Sequence, residues 1–256
     1  MARTTTIANQ KGGVGKSTTA EALAEGLTLN GKKTLLIDLD PQGSVTLTAG
    51  AVRGKPTAYE VLTKQADVTA AIQHRTGRTD IIPASRGLAR LDVELTTTGK
   101  EYRLRERIKS ILTLYEYIII DTPPALSILT VNALTASDSL IIPAQADIYS
   151  LQGIGQLTET IEAIKAYTNP GLTLHGILLT RHNTRSILSR DMAENAESTA
   201  AQIGTFLYNV VIRESVALKE AQAAQRPIYD YAPKSNPAAD YMAFTIEYIE
   251  RSKNNA

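Results

Sequence analysis

The sequence predicts an α/β fold, with a mostly parallel, twisted sheet and helices on both of its faces. Two observations predict it. Apolar runs of strand length alternate along the chain with segments of helical periodicity, the order that builds βαβ units. Several of those runs are nearly continuous in Ile, Leu and Val, as strands covered on both faces require. At 256 residues and 43% hydrophobic content the chain can bury one substantial core, so a single domain over 1–256 is expected.

The elements are read in order. "RTTTIAN" is the first strand, and glycines follow it. In "STTAEALAEGLTLNGK" the residues Ala20, Leu23, Ala24 and Leu27 fall on one helical face, and Gly31 marks the stop. "KKTLLIDLD" is the second strand. Residues 44–78 are the least regular part, where short helices are expected between strands. "TDIIPAS", "YEYIIIDTPP" and "DSLIIPAQA" are the third to fifth strands. The helix "SLQGIGQLTETIEAIKAY" leads to a sixth strand, "LTLHGILLT", and a seventh is read in "GTFLYNVVI". The helix "AADYMAFTIEYIERSK" closes the chain.

Composition removes several function classes. There is no cysteine, which excludes disulfides, thiolate metal sites and cysteine-held iron–sulfur clusters. The net charge of +1 gives no global basic field, although a local patch is compatible with it. Nothing at the start reads as a signal peptide, and no apolar run approaches bilayer length. A cytoplasmic protein without stable membrane association is expected.

The chemistry begins at "KGGVGKSTT", residues 11–19, between the first strand and the first helix. Gly12, Gly13 and Gly15 let backbone N–H groups turn toward an anion, and the helix N-terminus adds partial positive charge. Lys16 is placed to bridge the β- and γ-phosphates of a nucleotide, and the Ser17 hydroxyl to ligate Mg²⁺. The loop, with Val14, Thr18 and Thr19, is therefore a candidate nucleotide site. It departs from the usual phosphate-loop pattern. Gln10 stands where a glycine is required, and Lys11 beside it is an extra cation. Two acidic motifs follow at strand ends: Asp38 and Asp40 in "LLIDLDPQGS", and Asp121 in "YEYIIIDTPPAL". Asp121 reads as a metal anchor acting through water.

"KGGVGKSTT" resembles the deviant Walker A motif of the ParA/MinD family, the SIMIBI branch of P-loop ATPases, and the resemblance spans nearly the whole chain. It implies ATP and Mg²⁺ as ligands and a homodimer that sandwiches two ATP molecules. It implies that Lys11 reaches the partner's phosphates, a cation supplied in trans to developing charge. It assigns Asp40 to orienting the attacking water and Asp38 to supporting the metal through water. The segment beginning "SLIIPAQ" is similar to the one that couples the site to the dimer face. Adenine contacts are expected near Arg181 and Asn183 and around Ile212.

Within the family the chain looks like the short, Soj-like ParA group. The cluster cysteines of the family's reductases are missing. The terminal helix stripe Tyr241, Phe244, Tyr248 and Ile249 reads as core rather than as a membrane anchor. The first strand begins almost at Met1, so no preceding DNA-reading domain is expected. The resemblance implies a nucleoid-associated partition ATPase. Its ATP dimer would bind nonspecific DNA through Arg185, Arg213 and Lys219, and a ParB-like centromere-binding protein would stimulate hydrolysis. The pattern departs at Ala217, where many members carry a second arginine. Two alternatives are a MinD-like or cargo-positioning ATPase, and a metabolic enzyme that uses ATP to activate a carboxylate.

Overall fold

The structure is a computed structural model that describes residues 1–52, 54–182 and 187–254, with backbone alone for 148–152, 187–193 and 254. Six strands form one sheet in the order β3-β2-β4-β1-β5-β6, and every ladder is parallel. They are β1 (Arg3–Ile7), β2 (Thr34–Asp38), β3 (Asp80–Ile82), β4 (Tyr117–Asp121), β5 (Ser139–Gln145) and β6 (Thr173–Thr180). The longer helices are α1 (Lys16–Leu29), α2 (Ile128–Ala136), α3 (Ile148–Tyr167), α4 (Ile187–Gln202), α5 (Val216–Ala223) and α6 (Asn236–Asn254).

The apolar strands are apolar because both faces are covered. In β2, Leu35 and Ile37 pack with the short helices of 58–111 and with α2, while Leu36 between them packs with α1 and α6. In β4, Ile118 and Ile120 take the first side and Ile119 the second. A third cluster lies under α3 and α4, from Leu140, Ile142, Leu157, Ile161 and Ile177. The threonines of β1 are buried too, and the hydroxyls of Thr5 and Thr6 are satisfied. Thr5 bonds Ser139 at 3.0 Å and the Tyr248 hydroxyl at 2.7 Å, and Thr6 bonds Ser137 at 2.6 Å.

Short helices do occupy the irregular stretch, at Ser44–Thr48, Ala58–Leu62 and Val68–Ala71. The expected seventh strand does not form. Leu207 makes one isolated bridge to Ile177, and Arg213 another to His182. Between these points the N–H groups of Asn209 and Val210 donate to the Glu247 carboxylate on α6, at 3.0 and 3.1 Å. A charged acceptor from another element takes donors that a ladder would have used. The segment therefore follows β6 without completing a ladder.

Candidate active site

The ends of three neighbouring strands set the site. Ile7 and Asp38 both stand in register with Asp121, so the carboxyl ends of β1, β2 and β4 finish level. The loop 8–15 leaves β1 at that point, and the two acidic segments leave β2 and β4 beside it. Ligands of such sheets bind there.

The loop is held from outside. The Gln145 amide donates to the Gly13 carbonyl at 2.9 Å, and the Thr180 hydroxyl to the Val14 carbonyl at 2.8 Å. A carbonyl fixed one way sends the N–H of its own planar peptide the other way, toward the concave side. Gly13 and Gly15 have φ of 78° and 85°, left-handed values that a side chain would strain. Gly15 is also the N-cap of α1. The first backbone bond of that helix runs from Thr19 N–H to Gly15 O at 2.8 Å, which leaves earlier N–H groups for another acceptor.

Lys16 is buried, and its ammonium donates to the Lys11 carbonyl at 2.9 Å. Burial lowers its pKa, while Asp121 and Asp40 pull the other way. Asp121 is fully buried and neither carboxylate oxygen has a partner in hydrogen-bond geometry. Burial first, then the charge of Asp38, hold its carboxyl well above the usual range, with the Ser17 hydroxyl and Lys16 opposing. Two orphaned hard oxygens beside a serine and a lysine are a donor set suited to Mg²⁺. Asp38 is differently used. It accepts from Thr46 N–H at 2.9 Å, Thr46 Oγ1 at 2.6 Å and Asp40 N–H at 3.0 Å, and burial pushes its pKa up to about 6. It therefore ties the Ser44–Thr48 turn to the sheet. Asp40 opens the turn that precedes it and accepts from Gln42 N–H at 2.9 Å.

Lys11 forms an ion pair with Asp147, with its Nζ 2.7 and 2.8 Å from the two carboxylate oxygens. The sequence singles out the segment after β5 but not this aspartate. Beside the loop a cleft of roughly 430 Å³, its open mouth included, is lined by Gly15, Thr18, Arg181, Ile212, Leu218 and Tyr241. The expected adenine region thus meets the loop. Thr18 accepts from the Gln222 amide at 2.8 Å, and Thr19 bonds the Tyr241 hydroxyl at 3.2 Å. Nothing in the sequence pattern points to Gln222 or Tyr241, because their contacts cross about two hundred residues.

Of the candidate DNA residues, the structure describes Arg213 and Lys219. Asn183, expected at the adenine, and Arg185 lie outside the described residues. Arg213 is gripped by Asp240, with Nε 2.9 Å and Nη2 2.6 Å from its oxygens. Lys219 is 3.9 Å from Glu214 on the rim of the cleft.

Residues 2–174 match the family model described as an AAA domain. The chain is 38% identical to the chromosome partitioning protein ParA of Caulobacter vibrioides, over 98% of this chain and 96% of that one. It is 39% identical to the sporulation initiation inhibitor protein Soj of Bacillus subtilis, over 96% and 98%. Among solved structures it resembles cobyrinic acid a,c-diamide synthase from Mycobacterium smegmatis with bound ADP and magnesium. There the TM-score is 0.87 and the identity 30%, covering 100% of this chain and 97% of that chain.

Proposed function

Because the chain belongs to the ParA/MinD family of P-loop ATPases and aligns nearly end to end with ParA and Soj, we propose that it is the ATP-driven switch of a DNA-partitioning system. The observation that carries this reading is the convergence of the phosphate loop with the unpartnered carboxylate of Asp121 at three level strand ends. Residues 1–256 would act as one ATPase domain.

In this reading the N–H groups from Gly12 to Thr18 cradle the phosphates, and Lys16 places its charge on the β- and γ-oxygens. Ser17 would ligate magnesium through its hydroxyl, with Asp121 and Asp38 supporting it through water. Bound there, magnesium neutralises charge on the phosphate oxygens. Asp40 orients the attacking water. Arg181 and the walls around Ile212 receive the base. Lys11 leaves Asp147 and crosses to the phosphates of a second copy, so chemistry waits for the sandwich dimer. The ATP dimer binds nonspecific DNA through Arg185, Arg213 and Lys219, and a ParB-like partner triggers release. The protein would then be cytoplasmic and nucleoid-associated. Among the described residues no helix is long and apolar enough to cross a membrane.

Asp40→Ala tests the cycle. It leaves both lysines in place and removes only the water-positioning carboxylate. Phosphate release should fall by about 100-fold or more while an ATP-bound dimer persists in sedimentation and is retained on random duplex DNA. Normal turnover would move the role elsewhere, and a dimer not retained on DNA at low salt would sink the partition reading. The likeness to the diamide synthase favours a second reading, ATP-driven activation of a carboxylate for amidation. ATP turnover raised by cobyrinic acid with an ammonia source, and indifferent to DNA, would replace the first reading with that one.

A further inference from the structure

Residues 100–109 hold the densest run of cations in the chain. Lys100, Arg103, Arg105, Arg107 and Lys109 stand against Glu101 and Glu106, a net of +3 in ten residues of a chain whose total is +1. They lie on a turn (Lys100–Tyr102), a short helix (Arg103–Ile108) and the turn after it (Lys109–Ile111). Leu104 and Ile108 enter the core, which turns Arg105 and Lys109, one helical turn apart, outward and exposed. Arg107 differs, with a buried Nε and its charge felt at Asp67.

Among the described residues, Lys100, Arg103, Arg105 and Lys109 have no carboxylate within 4.0 Å. Neutral groups aim the two arginines. Arg103 Nη2 donates to Thr97 Oγ1 at 3.0 Å, and Arg105 Nη1 to the Thr168 carbonyl at 3.4 Å. Two tyrosines join them. The Tyr102 hydroxyl donates to the Tyr167 carbonyl at 3.1 Å, and Tyr167 is 82% exposed. Thr168 begins the connection that enters β6 at Thr173, so the patch lies toward the amino-terminal edge of the sheet, opposite the phosphate loop.

We propose that this surface, on which the partition reading would rest part of its DNA affinity, binds the phosphate backbone of duplex DNA without reading sequence. Arginines without carboxylate partners offer planar forks to phosphate oxygens, and exposed tyrosine offers a face to sugar. A membrane surface fits less well. An interfacial helix needs an outward apolar face, and here Leu104 and Ile108, the aliphatic residues of the stretch, are spent in the core. The patch stands apart from the nucleotide and its cations need no ATP to be present. It therefore contributes affinity in both nucleotide states, beneath the larger ATP-dependent gain.

The test uses the full chain and a random-sequence duplex, titrated at several salt concentrations with and without ATP, in the Asp40→Ala background. The triple variant Arg103→Gln/Arg105→Gln/Lys109→Gln should weaken binding by about tenfold or more at low salt. It should also reduce the slope of log affinity against log salt by about 2–3 for each chain that touches DNA. Turnover, measured with Asp40 restored, and the circular-dichroism melt should not change. Arg103→Lys/Arg105→Lys should recover most of the slope. An unchanged slope in the triple variant, with the parent still binding DNA, overturns this surface and leaves the partition reading intact. A parent that binds no DNA overturns both. If the triple variant instead loses flotation with phosphatidylglycerol vesicles and keeps its DNA affinity, the surface is a membrane one and the proposal is wrong.

Discussion

Glu21 lies one helical turn beyond Ser17 on α1, is buried, and leaves its Oε1 without a partner. Burial pushes its carboxyl up to about 7, against the pull of the Thr48 hydroxyl. A carboxyl raised in the folded chain holds its proton more tightly there than in the unfolded chain. Its contribution to stability is full below about pH 4.5 and is lost as pH rises to about 7. Glu21→Gln keeps the shape and removes the titration. It should exceed the parent by about 2–3 kcal/mol at pH 8 and by much less at pH 5, read from urea midpoints. Equal midpoints for the two proteins at pH 8 would mean that the carboxylate is solvated. Lys16 is the second residue whose charge can be isolated. Lys16→Ala should weaken ATP binding roughly 100-fold, because charged hydrogen bonds to phosphate are lost from a buried site. Unchanged binding of labelled ATP would remove the loop assignment.

At the scale of elements, α1 is fixed by close contact with α6. A Cβ built at Gly26 would collide with Thr245 Oγ1 and come within 3.1 Å of the Tyr229 hydroxyl. Gly26→Ala should therefore cost about 2 kcal/mol by forcing the helices apart, visible as a lower thermal midpoint. An unchanged melt would mean that the helices separate without strain. The same α6 breaks up the expected seventh strand. The pattern of "GTFLYNVVI" is a strand pattern, and its two ends do bond to β6. What diverts the middle is Glu247, about forty residues away in sequence. The carboxylate sits on a helix whose own periodicity gives no hint of that task.

At the scale of the whole molecule, the proposed switch needs two copies. A Cβ at Gly12 meets nothing within 4 Å in the single chain. Gly12→Val should then fold, bind ATP with near-parental affinity, and remain monomeric in sedimentation, since the added side chain meets only the approaching partner. Pairing like that of the parent would remove the sandwich from the mechanism. In the proposed pair Lys11 would gain a second destination, while in one chain it is an ion pair with Asp147.

The sequence by itself determined the sheet, its parallel strands and the candidate phosphate loop. These depend on local periodicity and on residues that are neighbours in the chain. Asp38 and Asp121 were also legible, because a carboxylate ending an apolar strand is delivered to the same edge by every parallel ladder. Only the tertiary structure decided that Asp121 is left without a partner while Asp38 ties down the following turn, since their surroundings come from separate segments. It alone decided that Arg213 is paired with Asp240 while Arg103 and Arg105 have no carboxylate within 4.0 Å among the described residues. Sequence counts charges along the chain. Whether a charge remains available depends on distances of a few ångströms between residues far apart in that count, and the fold sets those distances.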